Sequence, residues 1–182
     1  MTKPTSSALS TVRLTLLLAL SAAGCESANN PASPSTSPQV GGDWNYTLRL
    51  NSVAGGECVG TILQTVVGTT DSGALNIVQT GSSLSATLGD ATTGTCTYAG
   101  SVSNDSMTLN LTRCDGGSVL ASFPCLNGAL RDIEYVNNTI TASVSGNSAN
   151  GSSVETYNIY TASTTNRLSV MTLNASFSAT RR

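Results

Sequence analysis

Apolar and polar residues alternate with a period of two along most of this chain, the pattern of half-buried β-strands. In the first such run Trp44, Tyr46, Leu48 and Leu50 share one face, with Asn45, Thr47, Arg49 and Asn51 opposite. Leu84, Ala86 and Leu88 alternate with Ser and Thr, and Met107, Leu109 and Leu111 alternate with Thr108, Asn110 and Thr112. Ile140, Ala142 and Val144 repeat the pattern, as do Leu173, Ala175, Phe177 and Ala179. These runs predict strands over 43–51, 57–67, 74–80, 83–89, 95–102, 106–113, 129–136, 138–145, 153–161 and 167–180. The last run changes parity between Val170 and Met171, which predicts a β-bulge there. No stretch after Cys25 carries sustained helical periodicity.

The predicted strands are joined by short turns: Thr80-Gly81-Ser82, Asn104-Asp105, Asn137-Asn138 and Thr164-Thr165-Asn166. Short connections make sequential strands antiparallel neighbours, so a meander is expected. The expected fold is all-β, an antiparallel meander barrel of about 8–10 strands, with a β-sandwich as the alternative. Closure would also remove exposed edges, which few charges are available to guard. Residues 43–182 have the length of one such domain.

Four cysteines fall inside that domain: Cys58, Cys96, Cys114 and Cys125. Their spacings of 38, 18 and 11 residues contain no C-x-x-C pair, which argues for two disulfides over zinc. A two-residue Asn104-Asp105 turn sets Val102 opposite Met107, Gly100 opposite Leu109 and Tyr98 opposite Leu111. Cys96 then faces Arg113, one residue short of Cys114, and a bulge would join the two cysteines. The meander places Cys58 at the opposite end of the barrel, where Cys125 meets it if 117–124 runs back down. Cys96–Cys114 with Cys58–Cys125 is therefore the expected pairing, and Cys114–Cys125 with Cys58–Cys96 is the rival. Each bridge would contribute about 2–4 kcal/mol.

The first 24 residues break from the strand pattern. Lys3 and Arg13 precede the apolar run Leu14–Leu20, and Ser21-Ala22-Ala23-Gly24 leads into Cys25. A basic start, a short apolar stretch and small residues describe a secretory signal, and the run is too short to span a bilayer. Cysteine directly after Ala-Ala-Gly resembles the lipobox of bacterial lipoproteins. The resemblance implies lipid attachment at Cys25, removal of residues 1–24 and anchorage in the bacterial cell envelope. Glu26 stands where that family uses aspartate for inner-membrane retention, so the outer membrane is implied. Residues 26–42 are rich in Pro, Ser and Asn and carry little that could pack a core. As a coil they would span roughly 20–25 Å, a tether between the lipidated Cys25 and the domain.

Composition narrows the chemistry. Histidine is missing, which excludes Ser-His-Asp and Cys-His machinery within this chain. Lys3 is the one lysine; without the signal, six arginines face ten acids, a net charge of −4. A mildly acidic domain with no basic cluster is not expected to bind nucleic acid. No catalytic residue, metal ligand or cofactor is assigned. Asp132 and Glu134 share one strand face, the kind of carboxylate pair a glycoside hydrolase uses, though a solvated face beside Arg131 explains them as well. Asp71, Asp90, Asp105 and Asp115 lie in turn-like sequences without calcium-loop spacing. Tyr135, Tyr157 and Tyr160 could line a ligand cavity, though core or rim packing explains them better. Triplets such as Asn45-Tyr46-Thr47 match the glycosylation sequon but arise by chance in so Asn- and Thr-rich a chain.

Gly42-Asp43-Trp44 opens the first strand and Arg181 closes the last, which resembles the lipocalin and avidin-like (calycin) barrels. The resemblance implies that Arg181 stacks over Trp44 and seals one end, with Gly42 part of the same closing motif. Trp44 is the only tryptophan, so an avidin-type aromatic cage is not implied. An open barrel of this kind would place Tyr46, Tyr98, Leu109 and Leu111 along a lumen able to hold a small hydrophobic ligand. The expectation is a membrane-anchored extracytoplasmic lipoprotein with a non-enzymatic binding or structural role, its partners being the membrane, through the lipid anchor, and that ligand, with no protein partner assigned. A β-sandwich adhesion module and a carboxylate-dependent hydrolase are the alternatives.

Overall fold

The computed structural model describes residues 38–58, 65–90, 94–116, 119–125 and 128–182. The signal segment, Cys25 and most of the tether lie outside the described residues. Among the described residues nine strands form: β1 (Gly42–Ala54), β2 (Thr70–Thr80), β3 (Ser83–Asp90), β4 (Gly94–Ser103), β5 (Ser106–Cys114), β6 (Val119–Pro124), β7 (Leu130–Ser145), β8 (Ser148–Thr161) and β9 (Arg167–Arg181). Each pairs antiparallel with its neighbours. β9 returns to β1 and β5 pairs with β7, so eight strands close into a barrel and β6 is an extra strand beside β7. The expected meander barrel is therefore the fold. Closure follows from the alternation, because one apolar face per strand is buried once the sheet meets itself.

The inward positions form one continuous core. Trp44, Leu75, Ile77, Leu84, Val102, Met107, Leu109, Ile140 and Phe177 all belong to it. The outer face is Ser, Thr and Asn, cross-linked by contacts such as Thr47–Ser72 and Thr139–Asn110.

Two glycines let the sheet coil tightly. Gly100 and Gly151 face inward where the neighbouring strand passes so close that a Cβ would overlap the carbonyl oxygens of Thr108 and Thr141. Gly89, by contrast, has open space around it. Gly100→Ala and Gly151→Ala should each cost about 1–3 kcal/mol, while Gly89→Ala should be nearly neutral. Urea midpoints of the three variants check this.

Several expected elements differ. Residues 129–136 and 138–145 are one strand, β7, and Asn137-Asn138 is no turn. The strand passes through the expected turn with a bulge at Val136, which separates the Tyr135–Tyr157 and Asn137–Thr156 pairs. The bulge turns Asn138 inward, where partners satisfy its amide. The predicted strand over 57–67 is not formed at its described ends; 55–58 and 66–68 are bends and turns, and 59–64 lie outside the described residues. β6 was expected only as a return segment. It continues the direction of β5, antiparallel to β7. In β9 the irregularity is at Leu168, between the Ile159–Ser169 and Tyr160–Arg167 pairs, and no bulge separates Val170 from Met171. Met171 already has the inward parity of Ala175 and Phe177, and Val170 is an outward apolar residue.

Both expected disulfides form, Cys58–Cys125 and Cys96–Cys114. A bulge at Thr112 brings Cys114 directly opposite Cys96, with Thr97–Arg113 and Tyr98–Leu111 on either side of the shift. The geometric reason given for the other bridge is corrected. Cys58 follows the end of β1, the same end of the barrel as Cys96 and Cys114, not the opposite one. Cys125 reaches it because β6 runs on toward that end.

Candidate functional site

The two ends of the barrel are built differently. At one end Trp44 is buried beneath the guanidinium of Arg181, whose central carbon lies 4.9 Å from the ring centroid. The two residues are cross-strand partners on β1 and β9. The indole Nε1 donates to the Val40 carbonyl at 2.9 Å, which draws the entering chain across the end. Gln79 holds that segment: its Oε1 accepts from the Val40 amide at 2.7 Å and its Nε2 donates to the Pro38 carbonyl at 3.0 Å. Arg181 also donates to the Gln39 carbonyl. Its Nε is buried and has no hydrogen-bond partner. Gly42 takes φ +127°, a conformation that favours glycine and lets the chain turn into β1. Val40 is fully buried, so the last residues of the Pro/Ser-rich segment belong to the fold. This is the Arg-over-Trp closure that the calycin resemblance implied. A cleft of about 720 Å³ at the same end is lined by Gln39, Asp105, Asn147 and Arg181 among others.

The other end is uneven. Pairing of β1 with β2 stops at Arg49–Thr70, and β5 pairs with β7 only over Ser106–Asn110. β1, β7, β8 and β9 run on past that level, so one wall of the barrel overhangs the other. The overhang carries a second cluster of Val53, Ile133, Ile159 and Met171, with Phe123 of β6 packed on it and the Cys58–Cys125 bridge within it.

Between the two clusters lies a ring of inward-facing side chains that are only partly buried. Leu48, Leu50, Leu111, Tyr157 and Leu173 supply its apolar part. Glu155 supplies a carboxylate. Its Oε2 accepts from the Tyr157 hydroxyl at 2.7 Å and its Oε1 from the Asn138 amide at 3.4 Å. The Asn138 amide also donates to the Tyr98 hydroxyl at 3.3 Å, and Asn138 Oδ1 accepts from Ser153 at 2.8 Å. The Tyr135 and Tyr157 rings pack 5.1 Å apart at a 37° tilt. Burial pushes the Tyr135 phenol far up, and the Glu155 carboxylate and the Tyr98 and Tyr157 phenols add to the shift. Tyr135 is therefore a neutral hydrogen-bonding group at any physiological pH.

The four residues expected to line a lumen are divided by this geometry. Tyr46, Tyr98 and Leu109 are buried within the packed core, and Leu111 is partly buried at its edge. The Tyr46 hydroxyl lies 3.3 Å from both Asp71 Oδ2 and the Gly89 carbonyl. Asn138, Ser153 and Glu155 were missed. Glu155 has the parity of Ser153, Tyr157 and Ile159, and that parity was the available signal.

Asp132 and Glu134 lie on the outer face of the overhang, away from the ring. Asp132 accepts the amide of Ser122 at 2.9 Å and that of Ser163 at 2.8 Å. Both serines have positive φ, so the carboxylate pins two unfavourable backbone turns. Glu134 accepts from the Tyr160 hydroxyl at 2.6 Å and from Asn158 at 3.1 Å. These bonds hold both carboxyls below their ordinary pKa, for Asp132 through the Ser122 and Ser163 amides and for Glu134 through Tyr160 and Asn158. A lowered folded-state pKa means that each contribution to stability is present at neutral pH. It is lost as the pH falls below about 4. Asp132→Asn should therefore lower the melting temperature at pH 7, with the deficit shrinking toward pH 2; thermal scans at the two pH values check it. Asp105 lies in the β4–β5 turn and Asp115 pairs with Arg113 at 3.6 Å. Among the described residues no group of three or more acidic or cysteine side chains could hold a metal ion.

No family model, curated protein or solved structure matches this chain.

Proposed function

We propose that this chain is a bacterial cell-envelope lipoprotein, anchored through lipid on Cys25, whose lipocalin-like barrel holds a small ligand at its open end. The role is binding, without catalysis. The observation that carries the reading is the contrast between the two ends. Inward residues at the Trp44–Arg181 end are sealed, whereas Leu48, Leu50, Leu111, Tyr157 and Leu173 face inward and remain partly exposed. Apolar surface left accessible on the inner face of a barrel is what a small-molecule site offers, with a few polar groups to orient its occupant.

The tether reading supports the same arrangement. The described chain begins at Pro38, beside the sealed end, so the open end is the one farther along the strands from the tether. Two disulfides fit the oxidising compartment that a signal segment implies. The outer membrane is the proposed location, on the sequence of the signal and of Glu26.

Native purification from a bacterial membrane, followed by mass spectrometry, tests the proposal. The expected mature chain begins at Cys25, carries lipid there and retains a small molecule that denaturation releases. An unmodified Cys25 would overturn the anchor. A chain that neither retains a small molecule nor binds octanol in calorimetry would overturn the ligand site.

A further inference from the structure

We propose that the open end selects an amphipathic amine, an organic cation with an apolar body. The inference rests on the reading of that end as a ligand site and adds the charge of the occupant.

The argument starts from Glu155. A carboxylate at an inward position of a β-barrel is costly, since charge is removed from water to a place where an apolar side chain would pack. Here it pairs across the strands with Leu173 of β9, and the partly buried Leu48, Leu50 and Leu111 share its inward orientation on the two core clusters. Its orientation is held from both sides, by the Tyr157 hydroxyl at 2.7 Å and the Asn138 amide at 3.4 Å. Asn138 is held in turn by Ser153 at 2.8 Å and Tyr98 at 3.3 Å. Four side chains thus position one charged group, two directly and two through Asn138, as binding sites position the groups that contact a ligand.

The surroundings favour a cation over other heads. An ammonium beside Glu155 would gain a charge-assisted hydrogen bond. The partly buried Tyr157 ring, backed by the buried Tyr135 ring 5.1 Å away, offers an aromatic face that attracts the same charge. A carboxylate or phosphate head would be repelled by Glu155, and a neutral hydroxyl could donate to the carboxylate but would gain neither the attraction between opposite charges nor that of the ring. The leucines would take the alkyl part, whose burial scales with its area.

Isothermal titration of the mature chain with octylammonium, octanol and octanoate, which share one alkyl body, separates the possibilities. Octylammonium is expected to bind about tenfold tighter than octanol, with octanoate weakest. Glu155→Gln should abolish the octylammonium advantage over octanol. Equal affinities for octylammonium and octanol, or a preference for octanoate, would overturn the amine inference while leaving a ligand site in place. Binding of none of the three would overturn both. The ranking on the wild-type chain decides the charge preference by itself, so it holds even if Glu155→Gln folds poorly.

Discussion

Truncating Trp44 to alanine is expected to remove about 3–5 kcal/mol of stability, among the largest losses from a single core substitution in this fold. Trp44 is the largest of the fully buried side chains. Its removal would leave a cavity at the sealed end and strip Arg181 of the ring it covers. It would also free the Val40 carbonyl, which accepts from Nε1, and so release the segment that crosses the end. Trp44→Phe separates these effects. The ring remains, the hydrogen bond is lost, and the cost should fall to about 1–2 kcal/mol. Arg181→Ala should also cost about 1–2 kcal/mol, since cation–π attraction and packing are lost while an unpartnered buried Nε disappears. Urea unfolding followed by far-ultraviolet circular dichroism gives all three values. An unchanged midpoint for Trp44→Ala would show that the end is sealed by other groups.

Removing the Cys58–Cys125 bridge, as Cys58→Ser with Cys125→Ser, should cost about 4 kcal/mol, against about 3 kcal/mol for Cys96–Cys114. The ranking follows from chain entropy. The first bridge closes a sequence separation of 67 and the second one of 18. Structure adds to the difference. Cys96 and Cys114 are already opposed in a hairpin ladder, which survives without the bond. Cys58 and Cys125 join two connections outside the closed ring and lie in the small cluster under the overhang. Losing that bridge should lower the melting temperature by roughly 10 °C for a domain of this size. Calorimetric scans of the two double-serine variants measure both. Equal losses would show that neither loop entropy nor the β6 attachment sets the contribution. A structured overhang is also what exposes the ring around Glu155, so the Cys58–Cys125 variant should bind octylammonium more weakly than the Cys96–Cys114 variant.

Legibility in the sequence follows the physics of each element. Where one face meets the core and the other meets water, alternation declares the strand, as in 44–50, 84–88, 107–111 and 173–179. Closure into a ring also followed, because short turns leave sequential strands adjacent. At 135–138 the alternation slips by one residue, and a turn and a bulge slip it identically. Burial of Asn138 against Tyr98 and Ser153 is what makes this point a bulge within one long strand. β8 shows the sharper limit. Val154 is outward and partly exposed while Glu155 is inward, the reverse of what hydropathy favours. Its register against β7 and β9 is set by the whole ladder, and one residue cannot turn over without every other residue of the strand doing so.

By itself, the sequence determined the class of fold, the meander order and the Cys96–Cys114 pair, since each depends on local periodicity or on residues near one another in a hairpin register; the Trp44–Arg181 closure rests on the calycin resemblance, and the Cys58–Cys125 pair, 67 residues apart, depends on the path of β6. Only the tertiary structure decided which strands overhang, that all four cysteines gather at one end, and that Glu155 stands in an apolar ring with Tyr157 and Asn138 around it. Those features depend on where distant strands stop relative to one another, a property of the closed sheet that no single stretch of residues encodes.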